Sequence, residues 1–204
     1  AGRTDAGVSA KSQVVKITVP FEIACAGLLK GINTHLPQDI RVISVEESNA
    51  DFHPIRDAKS RTYRYYFTNK PIHNPLMVGL VYNYPYDLDI NAMKLACKIF
   101  EGEHDFSDFH CKGSELQGTV RKILNADIHS SDSDSFIWDD LFYLEVVGEG
   151  FLKQMVRCIM GALFEVGRGK ITPNDISLRL KYPQQSNLSF VAPASGLIKY
   201  SIEF

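Results

Sequence analysis

Near the start of this chain Asp5 lies between Gly2 and Gly7, two residues after Arg3. Glycines let backbone approach a ligand closely and place a side chain at a turn apex. A positive charge nearby favours the ionised form of a carboxylate. The same residues also fit an Asx-type turn carrying a solvated ion pair. A second cluster is basic: Arg56, Lys59, Arg61, Arg64 and Lys70 stand against the single Asp57, while acid collects at Asp132, Asp134, Asp139 and Asp140. Such segregation can build a basic cleft on a nearly neutral protein, the kind of surface that holds nucleic-acid phosphates; it also fits an ordinary solvated edge strand. His53, His104, His110 and Cys111 match no usual zinc spacing, so no metal site is expected.

Two further side chains are positioned by their periodicity. On a helix predicted over Phe151–Gly167, Lys153, Arg157 and Gly161 form one strip beside the apolar set Leu152, Met155, Val156, Ile159, Leu163 and Phe164. An arginine there, one turn before a glycine, is placed to reach a second element and to grip a carboxylate with its fork, or to snorkel over its apolar neighbours. In the aromatic run Arg61–Phe67, Tyr63 shares a strand face with Tyr65. Its ring fits sheet packing and equally fits a stack on an unpaired base.

Three ordered segments carry a resemblance. Ala1-Gly2-Arg3-Thr4-Asp5-Ala6-Gly7-Val8-Ser9-Ala10 resembles the signature of the TruA-type tRNA pseudouridine synthase family, with Ser9 where many bacterial members have His. Asp51-Phe52-His53-Pro54 with Ala58-Lys59-Ser60-Arg61-Thr62-Tyr63-Arg64-Tyr65 resembles its second motif. Gly150-Phe151-Leu152-Lys153-Gln154-Met155-Val156-Arg157, running on to Gly161 and Val166-Gly167, resembles its third.

The resemblance implies an isomerase that turns uridine into pseudouridine in tRNA, in the anticodon stem-loop. That reaction breaks the N1–C1′ bond, turns the uracil and joins C5 to C1′. No electrons leave the substrate, so no cofactor is implied. Asp5 is then the catalytic carboxylate, either attacking C1′ or removing the C2′ proton. Arg157 becomes its partner. Tyr63 receives the extruded base, where stacking is worth roughly 1–3 kcal/mol, and serves proton transfer; Tyr65 is the more structural of the two. Arg3, Lys59, Arg61 and Arg64 are candidate RNA contacts. A cytoplasmic homodimer with tRNA as partner is also implied. The alternative is a non-catalytic RNA-binding or RNA-folding protein on the same scaffold. A glycosidase would want two carboxyls about 5–10 Å apart, and no second acid stands near a motif.

These residues need a scaffold. With 204 residues, 45% hydrophobic and 23% charged, the composition is that of a globular chain, and no apolar run approaches the length of a membrane span. The four cysteines are widely spaced and fit reduced thiols. Strands are predicted at Gln13–Val19, Asp39–Glu46, Arg61–Phe67, Gly79–Asn83, Val120–His129, Leu141–Val147 and Leu197–Phe204, with Ser130–Ser135 as a polar connection. Helices are predicted at Phe21–Ile32, Asn91–Phe100, Phe151–Gly167 and Pro173–Leu180. The reading is α+β, with helices on one face of a mostly antiparallel sheet. The family implies two related halves sharing that sheet with a cleft between them, residues 1–55 and 56–204. It also implies a strand and helix ahead of Asp5's motif, so an N-terminal part is expected to be missing.

Overall fold

The computed structural model describes residues 2–72, 74–111, 118–131, 141–184 and 186–204. The acidic residues between Asp132 and Asp140, and most of the predicted connection Ser130–Ser135, lie outside them. The described chain forms two compact units, one of Val14–Asp57 and one of Ala1–Gln13 with Ala58–Phe204.

The larger unit is built on seven strands: β1 (Ser9–Ala10), β2 (Ser60–Thr68), β3 (Tyr82–Asn83), β4 (Gly102–Asp105), β5 (Val120–Ser131), β6 (Leu141–Gly148) and β7 (Leu197–Glu203). Their order is β1-β7-β2-β6-β5-β4, with β3 beside β2. Only β1–β7 and β2–β3 are parallel. Period-2 alternation turns Tyr65 and Phe67 of β2, Leu144 and Val146 of β6, and Ala126 and Ile128 of β5 into one core. Against that side pack α2 (Ile90–Cys97), α3 (Met155–Gly167) and α4 (Pro173–Lys181). The mixed sheet with helices on its packed side is the predicted α+β arrangement.

Local chemistry sets the helix ends. Asp89 caps α2 by accepting from the Ala92 amide at 2.9 Å. Thr172 and Asp175 form a capping box at α4, with Pro173 in its first turn. The apolar helix expected from Phe151 begins only at Met155, because Gln154 takes a left-handed conformation at φ 61° as its N-cap. Lys153 therefore precedes the helix and does not share a helical strip with Arg157.

The smaller unit departs further from expectation. Helix α1 (Cys25–His35) starts four residues later than predicted and ends before Pro37, whose ring disfavours helix at Leu36. Neither Gln13–Val19 nor Asp39–Glu46 forms a strand. The alternation is present, but a strand exists only through a ladder, and none is made there among the described residues; Val15, Ile17, Ile40 and Ile43 are exposed. Polar ties do the local work instead. The Asn33 side chain donates to the Val42 carbonyl at 2.8 Å and accepts from its amide at 2.9 Å. Lys16 Nζ donates to the Phe52 carbonyl at 3.1 Å.

Candidate active site

The segment around Asp5 is a turn: the Val8 amide donates to the Asp5 carbonyl at 3.1 Å, across Ala6 and Gly7. Gly7 has φ +81°, the third-position conformation that a type II turn reserves for glycine. A side chain there would also press on Ala194. Asp5 thus opens the turn and does not sit at its apex as expected. β1 follows and pairs with β7, Ser9 opposite Ile198 and Ala10 opposite Lys199.

Arg157 comes to Asp5 from 152 residues away. Its Nη1 lies 3.3 Å from Asp5 Oδ2, while Nε donates to the Ala192 carbonyl at 2.7 Å. One guanidinium nitrogen meets the acid, not the two of a fork, and Nε is turned to Ala192. The Ala192 amide returns a bond to the Arg157 carbonyl at 3.2 Å. This approach of the 190s segment to α3 depends on Gly161: a Cβ there would lie 1.9 Å from the Phe190 carbonyl oxygen. The Arg157 and Asp5 side chains remain 13% and 24% exposed, so the pair is half-sheltered and its acid still open on one side.

Tyr63 joins them from β2. Burial pushes its phenol above the ordinary value, Arg61 pulls it down and the Asp5 charge pushes it up. The hydroxyl is therefore a proton donor at neutral pH and lies within the electrostatic reach of Asp5. Its ring meets Phe151 edge-on, centroids 5.1 Å apart. Tyr65, two residues on, is fully buried and donates to the Pro193 carbonyl at 2.9 Å, which helps hold the segment that holds Arg157.

The basic residues fall into two sets. Arg3 and Lys59 are exposed, Lys59 donating to the Phe204 carbonyl at 2.9 Å. Arg61 donates to the Glu149 and Ala58 carbonyls. Arg64 pairs with Glu145 at 2.7 Å and stacks on Tyr200, 3.6 Å from its centroid. The histidines are used locally, His104 at the Glu101 carbonyl and His110 at the Cys111 carbonyl, each 2.8 Å. His53 Nδ1 accepts from the Arg56 amide at 3.1 Å. Burial pushes the Cys158 thiol up to about 12, an inert thiol at neutral pH. Sequence reasoning missed the backbone anchors at Ala192 and Pro193, which no side-chain pattern announces, and it missed Lys199.

A family model described as tRNA pseudouridine synthase matches residues 96–204. The chain belongs to that family. A "tRNA pseudouridine synthase A 2" of Desulfotalea psychrophila is 41% identical over 207 residues, spanning all of this chain and 78% of that protein. The "tRNA pseudouridine synthase A" proteins of Pelobacter propionicus and Pseudothermotoga lettingae are 36% and 37% identical, again over the whole chain and over 80% and 81% of their own lengths. By family, then, this is an isomerase with the α+β pseudouridine synthase fold, and the TruA-type resemblance of its three motifs is upheld. Among the described residues no helix is long and apolar enough to cross a membrane.

Proposed function

We propose that this chain converts uridine to pseudouridine in tRNA, at a uridine of the anticodon stem-loop, with Asp5 as the reacting carboxylate. The observation that carries the reading is the Asp5–Arg157 pair. It orients a carboxylate with one contact and leaves the rest of the acid open to a ribose. The open acid fits both chemical routes, attack at C1′ with departure of N1, or removal of the C2′ proton to give a glycal. In either route the detached uracil turns and bonds through C5 to C1′, displacing the Asp5 carboxylate on the first route or taking back the C2′ proton from Asp5 on the second, and the C5 proton is lost as N1 regains one.

Tyr63 supports the middle of the sequence. Its phenol stays protonated at neutral pH and so can donate to the departing base, and its ring offers a face for an extruded uracil. Arg3 and Lys59, exposed near the motifs, suit phosphate contacts. Arg61 and Arg64 are already bonded to protein groups, so RNA contact by either would be shared or would require those bonds to open. The working unit we infer is a cytoplasmic homodimer that binds tRNA.

The test is to incubate unmodified tRNA with the wild-type and Asp5→Ala full-length proteins and map pseudouridine at each position. Product in the anticodon arm with wild type, and none with Asp5→Ala, is the expected result. Wild-type turnover by Asp5→Ala would remove Asp5 from the chemistry. Binding of tRNA by both with product from neither would favour a non-catalytic RNA-binding protein.

A further inference from the structure

Lys199 sits in the middle of β7, opposite Tyr63 of β2, and is fully buried. An ammonium in such a place is costly unless something offsets the lost hydration. Its Nζ has two neutral oxygens as partners, the Gly2 carbonyl at 2.9 Å and Gln13 Oε1 at 3.0 Å. Gln13 Nε2 in turn donates to the same Gly2 carbonyl at 3.4 Å, closing a triangle of bonds. The Lys199 carbonyl accepts the Lys11 and Ser12 amides at 2.9 and 3.3 Å. One residue therefore grips both ends of the 2–13 segment, and Asp5 lies between them.

We propose that Lys199 is a positioning residue for the reaction, a buried staple that closes the base of the 2–13 loop and holds Asp5 in register with Arg157. This rests on the reading of Asp5 above. The ammonium is not there for stability. Burial, aided by the nearby Arg61 charge, pushes its pKa down to about 8 from the ordinary 10.5. A folded-state value below the unfolded one means the folded protein holds the proton less tightly. The charged lysine thus burdens the fold below pH 8, and the burden fades between about 8 and 10.5. A hydrocarbon of the same length would remove it, at the cost of the staple.

The two roles predict opposite behaviour in Lys199→Met of the full-length protein. We expect single-turnover pseudouridine formation to fall by about 10–100-fold, the loss typical of a misplaced reacting group. tRNA affinity should stay within about twofold, since phosphate contacts dominate it. The thermal midpoint at pH 7 should not drop, and amide exchange should quicken in residues 3–12 alone. Gln13→Ala, at an exposed position that leaves folding intact, should lose about threefold to tenfold by the same route. Undiminished turnover in Lys199→Met, or a loss accompanied by a lower midpoint and faster exchange throughout, would overturn the proposal. If Asp5→Ala is inactive while Lys199→Met is unimpaired, only the staple fails. If Asp5→Ala keeps wild-type turnover, the reading of Asp5 fails and the staple with it.

Discussion

Two arginine–aspartate pairs join distant parts of the larger unit, and they are built to different ends. Asp108 has a side chain with no exposure; it accepts from Arg179 Nε at 2.6 Å and from the Gln184 and Ser186 amides at 2.8 and 3.0 Å. Arg179 is equally occupied, its remaining nitrogens bonded to the Gln184 side chain and to Ser186. Asp5 accepts one bond, longer at 3.3 Å, and keeps a quarter of its side chain exposed. A carboxylate with both oxygens bonded is a structural pin, since breaking the pair strands a buried charge. An oriented but unsaturated one has acceptor capacity in reserve for a substrate. On the proposed role of Asp5, the difference separates holding a loop from doing chemistry more sharply than the identity of the residues does.

The largest expected effect tests the open pair. Asp5→Asn should cut single-turnover rate by more than about 10⁴-fold, as loss of a reacting group does, with the thermal midpoint nearly unchanged. The saturated pair should behave in reverse. Asp108→Ala should cost about 3–5 kcal/mol in urea unfolding, while the folded fraction keeps its turnover within a few-fold. If Asp108→Ala proves silent in stability but inactive, the contrast collapses.

Arg157→Met comes next. It should lower the rate by about 10²-fold through misplacement of Asp5, with a smaller stability loss than Asp108→Ala because the site is partly solvated. Arg157→Lys should not restore it, because a point charge cannot serve the Ala192 carbonyl and Asp5 from two nitrogens. Tyr63→Phe is the smallest, about tenfold in rate with tRNA binding retained. A loss in binding instead of rate would make the hydroxyl an RNA contact, and an unimpaired Tyr63→Phe beside an impaired Tyr63→Leu would assign the ring as its working part.

The elements built on strong periodicity were legible. The cores of β2, β5, β6 and β7 and of α2 to α4 fall where alternation and caps place them, because their apolar faces meet one another. Gln13–Val19 and Asp39–Glu46 have the same alternation but no ladder, which pattern cannot supply. The start of α3 was misjudged since a left-handed glutamine leaves no mark in composition. Asp5, Tyr63 and Arg157 stood out by motif; the structure pairs Asp5 with Arg157 and leaves Tyr63 on β2 within reach of the Asp5 charge. Lys199 was invisible for a physical reason. A lysine between Ile198 and Tyr200 reads as the solvent side of a strand, yet the face that β7 buries is that of Leu197, which plain alternation gives Lys199 as well.

One feature of the connectivity bears on when the site can exist. Among the described residues β7 is the only strand beside β1, and it also carries Lys199. On the ribosome, Asp5's turn emerges well ahead of β7, and β1 gains its partner strand only when β7 follows. Contacts of such sequence separation form late and slowly. Loss of residues 197–204, far from any motif, would leave the turn that carries Asp5 without its partner strand and without the Lys199 anchor.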